Sequence, residues 1–328
     1  MLVNRKNLLI FSIVLAFCVI SLGAFVRLSD AGLGCPDWPG CYGKLVGVPD
    51  NHIEVSEAQV AFPHATVEAG KAWKEMIHRY LAGCLGLMIA ALAVLAIWRK
   101  RETVLAPHLA LVGLVFVQAA LGMLTVTWLL KPVIVTLHLL GGMLILATLV
   151  GIKAVESPLL KASSATSCLK KGAWCVSALI LMQIALGGWT SANYAAMACI
   201  DYPLCQGHLI PADMNWSHAF TFNHELGQAS DGQILDLQTL TAIHWTHRSF
   251  AMVVLAACLV FANRLQKHEG TRFLGYLILL AVFVQIALGI SNVWLHWPLG
   301  LAVMHNTGAS VLFALVIYTT VQLQRSKS

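Results

Sequence analysis

Four histidines have the type and placement to hold a metal-bearing cofactor: His78, His138, His247 and His305. Each lies in a long apolar stretch, within the first few turns after a polar segment. A neutral imidazole is an ordinary axial ligand for heme iron, and two facing imidazoles make a six-coordinate, low-spin centre. Ionisable side chains are expensive to keep in hydrocarbon, so they count as functional candidates by default. The plain alternative is a histidine that only hydrogen-bonds a neighbouring helix. It explains one such residue better than two per half of the chain, at matching positions and depth. Zinc would call for cysteine or carboxylate ligands close by, and only one half offers such a carboxylate.

That carboxylate is Glu75, three residues before His78 and on the same helix face. There it can take up a proton or stabilise a cation during oxidation; the simpler role is an acid complementing the dipole of a first helical turn. Its counterpart before His247 is His244, which suggests that one half does chemistry while the other only holds a cofactor. Arg79 and Arg248 each follow a candidate ligand. A guanidinium forks onto carboxylates such as heme propionates, or it snorkels to the membrane interface.

Of the nine cysteines, Cys18, Cys84, Cys168, Cys175 and Cys258 lie in or beside apolar stretches, as small hydrophobes do. Cys35/Cys41 and Cys199/Cys205 make two Cys-x5-Cys segments on the outer side, which is oxidising in a bacterium. A disulfide closing so short a loop contributes roughly 2 kcal/mol and stiffens a lid over the helix mouths. A redox-active pair is the rival reading, strongest for Cys35/Cys41, which adjoins Tyr42-Gly43. His208, His218 and His224, with Asn223 and Glu225, sit in the second outer segment, but their spacing matches no recognised metal-ligand pattern.

The elements that must position these residues follow from composition. The 328-residue chain is 58% hydrophobic and only 11% charged, against about a quarter charged in soluble domains. Apolar runs recur at 8–26, 77–98, 105–130, 133–153, 174–190, 240–261, 273–295 and 299–323, each about the ~20 residues that a helix needs to cross a bilayer. Alternating segments of ~10 residues, the mark of a membrane barrel, do not occur. A short polar start and the lack of an A-x-A site make the first run a retained span. Two thirds of the 21 lysines and arginines, among them Arg99, Lys100, Arg101, Lys161 and Lys327, fall in segments that are cytoplasmic if the N-terminus is inside. Both termini are therefore expected in the cytoplasm. No basic block is dense enough to suggest nucleic acid.

The chain also repeats itself. Leu22-Gly23 and Cys35/Cys41 recur 164 residues later as Leu186-Gly187 and Cys199/Cys205. The string from Phe116 to Gly122 returns 167 residues on as Phe283 to Gly289, and His138 returns as His305 at the same offset; His78-Arg79 matches His247-Arg248. Four helices per half give both halves one orientation. The expected fold is thus an all-α membrane protein with eight transmembrane helices, arranged as two pseudo-two-fold-related four-helix bundles. The N-terminal half covers 1–152 with an outer loop at 28–74. A cytoplasmic linker at 153–171 contains Pro158, Ser163 and Ser164, and the C-terminal half covers 172–328 with an outer loop at 191–239.

Over essentially its whole length the chain resembles the heme A synthase family. The most specific stretches are Gly23 to Cys41 (GAFVRLSDAGLGCPDWPGC), Glu75-Met76-Ile77-His78-Arg79, and the paired His138 and His305. The resemblance implies a resident heme b on His247 and His305, and the substrate, heme O, between His78 and His138. It implies oxidation of the porphyrin C8 methyl to a formyl group by two hydroxylations and loss of water, with Glu75 as the catalytic acid. It implies redox or cofactor transfer at the first cysteine pair, and a bacterial inner membrane as the location. Heme O synthase as substrate donor, a separate electron donor and cytochrome oxidase assembly factors are the partners expected with it. A diheme cytochrome b taking electrons from quinol is the rival, although it has no need of the Glu75/His244 difference or of two lids. A heme transporter would need polar features toward both faces, and here they crowd one.

Overall fold

Backbone in hydrocarbon must satisfy its own hydrogen bonds, so apolar runs of spanning length become helices. The computed structural model describes residues 4–98, 102–156, 167–229 and 231–325. Its long helices are α1 (Arg5–Leu28), α3 (Ala69–Trp98), α4 (Glu102–Thr127), α5 (Pro132–Glu156), α6 (Ser167–Ala192), α7 (Leu237–Gln266), α8 (Arg272–Trp294) and α9 (Leu299–Arg325). All eight are long and apolar enough to cross a membrane. The loop after α1 carries a further short helix, α2 (His52–Ala61), and the loop after α6 a 3-10 turn at Ala195–Met197. Among the described residues there are isolated β-bridges but no strand.

Within the first half α1 packs on α3, α3 on α4, α4 on α5, and α5 closes back onto α1. The second half repeats this order through α6, α7, α8 and α9. Between the halves α5 packs on α9, α1 on α9, and α5 on α6. Exchanging each helix with its counterpart maps this set of pairs onto itself. Lipid gives apolar surfaces no reason to associate, so close packing and small polar contacts carry such interfaces. Ser21 Oγ meets Thr307 Oγ1 at 2.8 Å, and Ser177 Oγ meets Thr320 Oγ1 at 3.2 Å. At the end remote from the histidines, buried Arg5 of α1 pairs with Glu156 of α5 and reaches His108 of α4.

The backbone repeats down to its left-handed residues, which side chains other than glycine enter at a cost. Asp30 pairs with Tyr194, Tyr42 with Gln206, Leu129 with His296 and Leu130 with Trp297, and these are all the described non-glycine residues with positive φ. The two tight turns, α4 to α5 and α8 to α9, are therefore built alike.

Helix α3 begins two turns earlier than its apolar run, and α7 begins nearly a turn earlier, both at the end that carries the long loops. Helix α5 runs on to Glu156 and α6 starts at Ser167, so helix takes both ends of the expected linker. Pro158, Lys161, Ser163 and Ser164, like Arg99, Lys100, Arg101 and Lys327, lie outside the described residues.

Candidate cofactor site

Helices α3, α5, α7 and α9 all start from the side of the two long loops, and each carries one of the four candidate ligands; α7 also carries His244. His138 and His305 lie six residues after the first residue of their helices and His78 and His247 nine and ten after theirs. At ~1.5 Å per residue that is about 9 to 15 Å from the helix starts. His78 lies within electrostatic range of His138, and His247 within range of His305. The four rings are lodged deep among neighbouring atoms, yet each residue keeps a partly accessible face.

Each ring presses its Cε1 edge against a glycine of the adjacent helix. A Cβ added at Gly23, Gly122, Gly187 or Gly289 would stand 2.9, 3.2, 3.0 or 3.1 Å from Cε1 of His78, His138, His247 or His305 respectively. Any larger residue would push the imidazole aside. One turn before three of these glycines stands a glutamine. Gln183 Nε2 donates to the His247 carbonyl at 3.0 Å and lies 3.1 Å from its Nδ1. Gln285 makes the same contacts to His305, at 2.8 and 3.2 Å. Gln118 donates to the His138 carbonyl at 2.7 Å. The repeat matches quoted above contain these glycines, and the Phe116 and Phe283 strings contain Gln118 and Gln285, but neither residue type was given a role by sequence reasoning.

The arginines reach the disulfide loops. Arg79 Nη1 donates to the carbonyls of Asp37 (2.9 Å) and Gly40 (2.5 Å), while its Nε donates to Glu75 Oε1 at 3.0 Å. Arg248 Nη2 donates to the Leu204 and Pro203 carbonyls at 2.9 and 3.4 Å. Each guanidinium still keeps a buried nitrogen without a hydrogen-bond partner, Nη2 of Arg79 and Nη1 of Arg248. Glu75 is buried in the second turn of α3, away from the orphan N–H groups of the first turn, so complementing that turn is not its place. His244, also buried, accepts the backbone N–H of Cys199 at its Nδ1, 3.2 Å away.

Cys35–Cys41 and Cys199–Cys205 are both disulfide-bonded. Both loops fold around an aspartate: Asp37 accepts from the amides of Tyr42 and Gly43, at 2.6 and 2.8 Å, and Asp201 from those of Gln206 and Gly207, at 2.7 and 2.8 Å. Burial works against ionisation of Asp201, but the Gly207 and Gln206 amides and the Arg248 charge outweigh it and hold the carboxyl below its usual range. The extra loop histidines are scattered. His224 is buried edge-on to Trp189, His218 lies 4.0 Å from Asp231, and His208 is exposed beside the second disulfide.

Sequence reasoning assigned no role to Arg27. Its Nη2 donates across the halves to the Ser191 and Ala192 carbonyls at the end of α6, at 2.9 and 3.4 Å, and its guanidinium lies 4.3 Å from the Tyr194 ring centre.

Two histidines per half, glycine seats that let the rings stand close to the neighbouring helix, and guanidinium nitrogens with nothing to bind are together a donor set that fits a heme. The imidazoles suit the iron and the spare N–H groups suit the propionates.

The sequence model of a family described as Cytochrome oxidase assembly protein matches residues 6–317. The heme A synthase of Shewanella oneidensis is 40% identical over 314 residues, which cover 94% of each chain. Those of Halalkalibacterium halodurans and Nitrosomonas eutropha are 28% and 26% identical over 319 and 334 residues, and cover 94% and 89% of their own lengths. With the match running from the first spanning helix to the last, the chain belongs to the cytochrome oxidase assembly protein family and stands among the heme A synthases.

Proposed function

We propose that the protein oxidises the C8 methyl of heme O to the formyl group of heme A, in the N-terminal half, with a resident heme b in the C-terminal half. The observation that carries this division is the difference between Glu75 and His244 at two otherwise matching helix mouths. His78 and His138 hold the substrate by its iron, with Arg79 Nη2 free for a propionate. His247 and His305 hold heme b, with Arg248 Nη1 in the equivalent role. Bound heme supplies the iron chemistry; the side chains supply position, charge and protons. Glu75, sharing one oxygen with Arg79, is a carboxylate held at a fixed point one turn from His78. It can accept a proton or stabilise positive charge developing at the methyl carbon. His244 spends its ring nitrogen on the Cys199 amide and offers no charge of that sign.

The two four-helix halves, 1–152 and 172–328, are related by a pseudo-two-fold along the membrane normal, and both termini face the cytoplasm of a bacterial inner membrane. The excess of lysine and arginine on the helix ends remote from the loops supports this orientation. Heme O synthase as substrate donor, a separate electron donor and cytochrome oxidase assembly factors are the partners that fit the reaction. Extraction of the pigments from purified protein, with mass analysis, tests the assignment. Heme O or heme A beside heme b is the expected result, and heme b alone in both halves overturns it in favour of a diheme electron carrier.

A further inference from the structure

Four helices present a glycine to a histidine, and the residue one turn before that glycine is glutamine on three of them: Gln118 on α4, Gln183 on α6 and Gln285 on α8. On α1, before Gly23, it is Val19. The consequence shows at the rings. Nδ1 of His247 and of His305 each faces a glutamine amide at 3.1 and 3.2 Å. Nδ1 of His138 and of His78 is buried with no hydrogen-bond partner; the Gln118 and Val19 carbonyls face those rings but fall short of hydrogen-bond geometry. His138 is still gripped through its own carbonyl by Gln118, whose Oε1 fills the space a Cβ on Gly141 would take, as Gln285 Oε1 does at Gly308. His78 has neither grip.

Resting on the heme reading above, we propose that Gln183 and Gln285 are positioning residues that lock the imidazoles of His247 and His305. Val19 then leaves His78 as the one exchangeable ligand, so that the N-terminal site admits a small exogenous ligand more readily than the C-terminal site does. An imidazole that gives Nε2 to iron must carry its proton on Nδ1, and that N–H needs an acceptor. The Oε1 atoms of Gln183 and Gln285 are buried and partnerless, and turning the amide over presents them to Nδ1–H. Turned over, Oε1 takes the place of Nε2, 3.0 and 2.8 Å from the His247 and His305 carbonyls, and its bond to Nδ1–H must outweigh that acceptor–acceptor contact, while each carbonyl keeps its own helical N–H. The valine side chain offers no acceptor, so the His78 ring is left with its contact with Gly23 and the Val19 backbone carbonyl that faces it.

The test is carbon monoxide binding to the dithionite-reduced, full-length protein, followed by optical difference spectra, with the paramagnetic signal of the oxidised form as a second readout. Wild-type C-terminal heme should react only to a small, measurable fraction. Gln183→Val or Gln285→Val should retain heme yet raise its carbon monoxide-reactive fraction about tenfold, the scale on which such supporting partners act. Val19→Gln, with hemin titrated into the N-terminal site, should lower reactivity there by a similar factor. Should the valine variants fail to assemble, Gln183→Glu strengthens the acceptor and should lower the midpoint potential, which a purely structural role would not do. Unchanged reactivity and signal in the valine variants, or an unchanged potential in Gln183→Glu, overturns the positioning role. Unchanged reactivity in Val19→Gln overturns the assignment of His78. Wild-type protein that holds no histidine-ligated heme overturns the functional reading and this inference together.

Discussion

The two helix mouths are the same object built twice, and they differ most in the charge that one position can carry. Both have a disulfide loop folded on an aspartate, an arginine donating to that loop's carbonyls, and a histidine pair seated on glycines. In the first half the residue one turn before the histidine is Glu75, which binds the arginine. In the second it is His244, which binds the loop's own backbone. His244 holds its loop directly, whereas Glu75 acts on its loop only through Arg79 of its own helix, so loop and helix stay tied in both copies. A position that the fold requires only to be a hydrogen-bonding side chain is free to be charged in one copy and neutral in the other.

The largest effect should come from breaking that difference. Glu75→Gln keeps volume and hydrogen bonding but removes the charge, and heme A formation should fall by about two orders of magnitude or more, with protein level and heme b unchanged. His244→Gln should leave heme A formation near wild type. Chromatography of hemes extracted from cells expressing each variant decides it, and normal heme A from Glu75→Gln would make this carboxylate a bystander. Next in size, His305→Ala or His247→Ala should abolish the low-spin signal of heme b, whereas His78→Ala should spare it. A His305→Ala protein with an unchanged paramagnetic spectrum would end the C-terminal assignment.

Smaller effects compare the loops. Replacing Cys199 and Cys205 by serine should cost roughly 2 kcal/mol of loop stability by the closure-entropy argument. The same change at Cys35 and Cys41 should cost as much if that pair is structural, with heme A formation affected no more than in the second-loop variant. A selective loss of activity from the first-loop variant would mark a redox role. Smallest of all, Asp37→Asn and Asp201→Asn should each cost about 1 kcal/mol or less. Because the folded carboxyl of Asp201 lies below its unfolded range, its contribution is present above that range and lost as pH falls through the depressed value. Faster exchange of the Gln206 and Gly207 amides in acid should report it.

Much of this was legible in the sequence because hydrocarbon leaves so few options. Apolar length gave the eight spans, and repeat offsets of 164 to 169 residues matched the histidines of one half to those of the other. Helix α2 was not read, although its cap was in view: Asn51 accepts the N–H of Glu54, an acid three residues on, as helix starts commonly do. Gln118 and Gln285 were visible inside the repeated strings, and Gln183 lay just outside them, but none carried a sign of its purpose, since an amide one turn from a glycine has meaning only when the facing helix is known. The destination of Arg79 was hidden for the same reason. It needs residues 37–40 folded back over residue 79, and nothing local in either segment says so.

Arg27 binds the backbone of Ser191, and Ser191 is the residue that stands at its own place in the other repeat, 164 positions on. Two copies of one position meet there. A dimer of identical halves would bring a second arginine to the same spot, and two guanidiniums a few Å apart in a poorly screened setting repel by several kcal/mol. Joining the copies in one chain lets the cation be written once, on one side of the axis, with a small neutral residue opposite to receive it.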